Sequence, residues 1–328
     1  MEGIQAFAGK TCESVIKHME SIEKKDIHAL IDFGSNTVNL VVYRISGSEF
    51  EKLYKSKRFL GIIGYVEHGV LSGEGIEKSV EILKKFKTLA LTFTENIDCF
   101  ATASLREIQN TAEAVEAIER ETGINITVFS AEQETYYDYV GAIHALPLQD
   151  MVVADVGGGS IQVLSVVDRK LKYFFSIQTG VLKLYLDFMK SNIPETKEKT
   201  QIKDMIRDCI HSAGWSADIR HDDLCVIGGS AKAIAKLHRD IYSVDKIDKD
   251  YCFDAGDLQT LIDYFTAMDG ERFEHIKRRF PERAETLLAG LLVFHEIAQN
   301  VGAKKIYLSK YGVREGYLIH HILKYGEI

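Results

Sequence analysis

The segment Ile31-Asp32-Phe33-Gly34-Ser35-Asn36-Thr37 returns 123 residues later as Ala154-Asp155-Val156-Gly157-Gly158-Gly159-Ser160. Each copy ends an apolar strand in an aspartate, turns through residues with little or no side chain, and comes back as a second strand. Glycine in such a turn lets the backbone approach a ligand and adopt positive φ without strain. Consecutive N–H groups there form an anion-binding nest. The aspartate beside it offers the hard oxygen that Mg²⁺ accepts while bridging to phosphate. One such hairpin alone reads more readily as a structural β-turn. Two copies opening two halves of one chain point to a duplicated α/β unit that binds phosphate.

Working outward, residues 29–33 and 38–45 read as strands, 76–93 and 111–122 as amphipathic helices, 124–129 as a strand and 132–144 as a helix. The second half repeats the plan. Strands are expected near 151–155, 161–168 and 171–178, then helices at 180–190, 198–212, 229–238, 257–268 and 283–300. A strand at 305–309 and a terminal helix at 313–325 complete it. The two halves divide near Leu146–Asp150, giving units 27–147 and 148–328. Residues 1–26 read as a helical extension, with Val15, Ile16, Met19 and Ile22 at helical spacing, suited to a surface or a dimer contact.

Composition narrows the function. The 328 residues are 46% hydrophobic and 27% charged, the balance of a globular protein. No apolar run approaches the ~20 residues of a membrane helix, and the N-terminus lacks the pattern of a signal peptide. Five cysteines stand without a CxxC pair, which fits reduced thiols in a cytoplasmic protein. A formal charge of −8 gives no overall attraction to nucleic acid or an anionic membrane. The eleven histidines show no metal-ligand spacing.

With these features in view, the chain resembles the exopolyphosphatase/guanosine-pentaphosphate phosphatase (Ppx/GppA) family of the actin/Hsp70/sugar-kinase superfamily. The resemblance rests on the two hairpins, on AlaThrAlaSerLeuArgGluIleGlnAsn (101–110), SerAlaGluGlnGlu (130–134) and GlnThrGlyValLeuLysLeu (178–184). GlyGlySerAlaLysAlaIleAla (228–235) and GlyValArgGluGlyTyr (312–317) extend it. It implies two ribonuclease-H-like (actin-like ATPase) domains around a phosphate-binding cleft. The implied reaction is Mg²⁺-dependent release of a terminal phosphate from inorganic polyphosphate or guanosine pentaphosphate, in a homodimer. It assigns the metal to Asp32 and Asp155 and the phosphates to Gly34, Ser35, Asn36, Thr37, Gly157, Gly158, Gly159 and Ser160. Glu134 becomes the base for the attacking water, and Arg106 a phosphate-binding arginine whose planar fork suits phosphate.

Bland readings stand beside these. Glu134 could be a solvated helix acid and Arg106 a capping or pairing residue, while Gly228-Gly229-Ser230 reads equally as a phosphate or nucleotide contact and as close strand–helix packing. Trp215 reads as packing. Lys55-Lys57-Arg58 and Lys277-Arg278-Arg279 read as solvated faces or as guides for a polyanion. Several charges also depart from the family pattern. Gln162 stands where an acid follows the second hairpin, Gln133 replaces the acid before Glu134, Asn39 stands where a basic residue is usual, and Lys183 replaces an arginine. A non-hydrolytic sensor of polyphosphate or an alarmone is therefore an alternative, and a small-molecule kinase a weaker one.

Overall fold

The computed structural model describes residues 26–189, 195–215, 219–248, 251–267 and 270–324. The expected extension lies, apart from Asp26, outside the described residues. Strands β1 (Ile27–Phe33), β2 (Thr37–Ser46) and β3 (Glu49–Phe59) form an antiparallel meander. A short ribbon of β4 (Val66–Glu67) and β5 (Val70–Leu71) precedes helix α1 (Gly73–Leu91). Strand β6 (Ile97–Ala101), helices α2 (Ala103–Arg106) and α3 (Thr111–Thr122) and strand β7 (Ile126–Val128) follow. The first sheet runs β3-β2-β1-β6-β7, with β6 and β7 parallel to β1.

Helix α4 (Ala131–Ala145) leads to the second sheet. It is built from β8 (Met151–Val156), β9 (Ile161–Val167), β10 (Lys170–Ile177), β11 (Asp223–Ile227), β12 (Cys252–Asp254) and β13 (Lys305–Leu308). Its order, β10-β9-β8-β11-β13-β12, repeats the first plan: an antiparallel meander, then parallel strands beside the opening strand, with β12 added at the edge. Helices α5 (Val181–Phe188), α6 (Thr196–Ser212), α7 (Gly228–Tyr242), α8 (Asp257–Thr266), α9 (Gly270–Arg279) and α10 (Leu287–Val301) cover one face. None of the described helices is long and apolar enough to cross a membrane.

Burial on both faces explains why β1 and β8 read as nearly continuous apolar runs. In β1, Ile27, Ala29, Ile31 and Phe33 join the core under α1 and α3, whereas Leu30 meets Val41, Tyr43 and Leu318 behind the sheet. The apolar side of α4, from Tyr139 to Leu146, packs against β8, β9 and β11 of the second sheet. The chain then ends in α11 (Val313–Tyr317) and a π turn, Leu318–Ile322, instead of one helix over 313–325. The wider turn sends Leu318 to the first sheet and its neighbour Ile319 to the second. Helices α4 and α11 cross nearly backbone to backbone at Gly141 and Gly316. This crossing joins the two units behind their opening strands.

Candidate active site

Both hairpins close in the same way. Gly34 N–H donates to the Thr37 carbonyl at 3.1 Å, and Gly157 N–H to the Ser160 carbonyl at 3.0 Å. The turns face each other so closely that a side chain on Gly159 would lie 2.4 Å from Ser35 Oγ. A β-carbon there would also crowd Ala103 at 3.2 Å, which glycine avoids. The N-terminus of α5 backs the second turn, Val181 and Leu182 donating to the carbonyls of Gly157 and Gly158. Between the turns lies a cleft of about 320 Å³. It is lined by Asp32, Asp155, Glu134, all four residues of each turn, and Gly228 and Gly229. Asp32 and Asp155 hold matching places: Asp32 pairs across its sheet with Asn39 and Phe100, Asp155 with Gln162 and Ile227.

Glu134 enters from the first turn of α4. Ser130 caps that helix, its hydroxyl accepting from Gln133 N–H at 3.2 Å while Gln133 Oε1 accepts from Ser130 N–H at 3.0 Å. Gln133 therefore belongs to a capping box, a task that an amide performs as well as an acid. Glu134 is 6% exposed, and its Oε2 accepts from Arg106 Nη1 at 2.8 Å. Burial pushes its pKa up to about 7, against the pull of Arg106 and with a further push from Asp155 and Asp32. Such a carboxyl is poised to exchange a proton near neutrality. The surface-acid reading of Glu134 does not hold.

Arg106 itself does not line the cleft. It binds Glu134, Glu107 and the Phe129 carbonyl through Nε and Nη1, and its buried Nη2 has no hydrogen-bond partner among the described residues. The Ser104 hydroxyl donates to the Phe33 carbonyl, tying α2 to the end of β1. Gln162 is 1% exposed and donates to Ser160 Oγ at 2.8 Å and Ser176 Oγ at 3.4 Å. It braces the hairpin from behind and is not part of the lining. Lys183 is exposed on α5 and also outside the cleft. Asn39 lines the cleft and donates to Thr37 Oγ1. Gly228 has φ +89°, with its α-carbon against Asp155, and Ser230 Oγ accepts from Arg283 at 3.4 Å. Trp215 packs edge-on against Tyr173 and Phe175.

Five charged residues of the cleft, Lys232, Glu282, Arg283, Arg314 and Glu315, had no role assigned from sequence. Arg314 of α11 binds Asp32 at 2.9 Å. Its neighbour Glu315 accepts from the Tyr43 hydroxyl at 2.8 Å and pairs with Lys52 at 3.5 Å. Burial works against the Glu315 charge, but Arg314 and Lys52 hold its carboxyl below the ordinary value. The buried Arg-Glu pair between glycines in 312–317 was the available signal. Lys232 and Arg283 also line the cleft. Lys55 joins them, and burial together with Arg314 and Lys232 pushes its pKa down to about 8. Burial also raises the pKa of Asp155 to about 6, helped by the charge of Asp32.

A sequence profile of the Ppx/GppA phosphatase family matches residues 41–325. The chain belongs to the Ppx/GppA phosphatase family. The crystal structure of the Aquifex aeolicus family member shares 25% identity with it at a TM-score of 0.74, covering 92% of this chain and 99% of that one. An exopolyphosphatase from Cytophaga hutchinsonii has the same fold, with a TM-score of 0.83, 19% identity and coverage of 91% and 98%. Among curated sequences, exopolyphosphatase 1 of Mycobacterium tuberculosis is 20% identical over 89% of this chain and 87% of its own length. A bifunctional 3-dehydroquinate synthase/phosphatase of Fusobacterium nucleatum is 21% identical over 91% of this chain, which spans only 47% of that longer protein. The architecture is thus the two-domain actin-like fold of this family, with the first hairpin lying just before the matched segment.

Proposed function

We propose that this protein is a phosphohydrolase that releases the terminal phosphate of inorganic polyphosphate, of guanosine pentaphosphate, or of both. The observation that carries the reading is the position of Glu134, buried, near-neutral in pKa and paired with Arg106, lining a cleft made of two facing glycine hairpins. The exopolyphosphatase relatives support the substrate class. In this reading the turn N–H groups receive the terminal phosphate. Lys55, Lys232 and Arg283 offset its charge and that of the leaving group, and Glu134 takes a proton from the attacking water.

The residues fit Mg²⁺ as an ion that arrives with its substrate. Among the described residues no group of three His, Cys, Asp or Glu side chains makes a closed metal site, but Mg²⁺ takes one or two carboxylates and completes its shell with water and phosphate. Asp155 and the Asp32 oxygen not engaged by Arg314 would hold it, and the bound ion would supply charge neutralisation at the transferred phosphate. The test is phosphate release from polyphosphate and guanosine pentaphosphate, with and without Mg²⁺, beside equilibrium binding of each. Turnover of at least one substrate supports the reading. Binding without turnover of either would make the protein a sensor.

A further inference from the structure

Strand β3 borders the cleft with alternate residues. Lys55 and Lys57 belong to the lining, and the period of two puts Phe59 on the same face of the strand. The register agrees: Lys57 stands opposite Asn39 and Phe59 opposite Thr37, and both Asn39 and Thr37 line the cleft. Phe59 is also 62% exposed, the most open large apolar side chain among the described residues. Single exposed apolar residues are ordinary, but this ring is held in place. Its outer end rests over Gly61, where φ is +59° and a β-carbon would lie 3.0 Å from the ring Cζ. The N–H groups of Leu60 and Gly61 each donate to the Asn36 carbonyl at 3.0 Å, and that of Ile62 to the Ser35 carbonyl at 3.0 Å. The segment that carries the ring is thus clamped onto the first phosphate turn.

A substrate seated on that turn has an aromatic ring one cross-strand step from Thr37, about 5 Å between α-carbons. Polyphosphate carries no apolar group to meet it. A nucleotide does, because every base has a flat π-face that stacks on an aromatic side chain, and the stack takes the apolar surface of the ring out of water. Stacking of this kind accepts any base. It separates a nucleotide from a bare phosphate chain without reading guanine.

Resting on the phosphohydrolase reading, we propose that Phe59 is a specificity-determining residue, a platform at the border of the cleft for the nucleobase of guanosine pentaphosphate. Phe59→Ala then lowers kcat/KM for guanosine pentaphosphate roughly tenfold, mostly through KM, the loss that one base–aromatic stack supports. For inorganic polyphosphate the same variant changes kcat/KM by less than about twofold, as a surface substitution that meets no ligand does. Phe59→Trp keeps the nucleotide activity, and its new indole, unlike the buried Trp215, is quenched by guanosine pentaphosphate and not by polyphosphate. Equal scaling of the two substrates in Phe59→Ala, or an indole that the nucleotide leaves unquenched, overturns the platform, while a wild type that releases phosphate from polyphosphate keeps the hydrolase reading. A smaller mass of Phe59→Ala in solution, with both activities unchanged, gives the ring to a second copy of the chain and also overturns it. Quenching by the nucleotide without phosphate release from either substrate keeps the platform and removes the hydrolase reading.

Discussion

The Arg106 guanidinium sits against the Glu134 carboxylate. A guanidinium 2.8 Å from Glu134 opposes the burial that pushes this acid up to about 7. Removing an opposite charge at this range moves a carboxyl pKa up by roughly one to three units. In Arg106→Gln, the acid limb of the pH–rate profile should therefore shift toward higher pH by about one unit or more. Activity lost at pH 7 should be partly regained at pH 8.5. Lys55, with a pKa of about 8, sets the opposite limb as it loses its charge, so the wild-type profile should be a narrow bell. A variant whose acid limb stays in place would show that Arg106 does not tune Glu134. No sequence pattern distinguishes an arginine that touches substrate from one that touches the base. That difference appears only when α2 and α4 are placed side by side.

Helix α4 carries a second acid, one turn beyond Glu134. Asp138 is 0% exposed, and the Val313 backbone N–H offsets only part of that burial. Burial holds its pKa well above the ordinary value, with Asp155 and Glu134 adding to the push. A raised folded pKa favours the folded state fully only below the unfolded value near 4, and that contribution is lost as pH rises. Asp138→Leu should thus be more stable than wild type at pH 8 by on the order of 1–3 kcal/mol, with the gap narrowing toward pH 4 in denaturant titrations. An unchanged gap across this range would deny the buried acid its cost. Other elements were plain from sequence where one period ran through them. Helix 111–122 and the strands after each glycine turn lie where periodicity put them. Strand β3 was missed because Lys52, Lys55, Lys57 and Arg58 break its apolar alternation at a sheet edge, a place where charge is tolerated. The terminal helix was drawn too long because Leu318 and Ile319 serve different sheets, which no single-helix pattern encodes.

Across the whole molecule, two duplicated sheets meet at their hairpins and are tied together by side chains from distant parts of the chain. Arg314 reaches Asp32 from 282 residues away, and the duplication legible in the hairpins gave no hint of it. Truncating one partner of a buried pair leaves the other charge stranded. Arg314→Met should lower unfolding free energy by about 3 kcal/mol and reduce phosphate binding as Asp32 loses its orientation. A Cm close to wild type would mean that the pair contributes little to holding α11 on the first sheet. The central claim is that Glu134 drives hydrolysis in a cleft whose hairpins bind phosphate without it. The most direct measurement compares wild type and Glu134→Gln for orthophosphate release from polyphosphate at saturating Mg²⁺, with polyphosphate affinity determined on the same samples. The account predicts a loss of turnover of roughly 10²–10⁴-fold, the contribution of a general base, at nearly unchanged affinity. Equal turnover in the two proteins would contradict it.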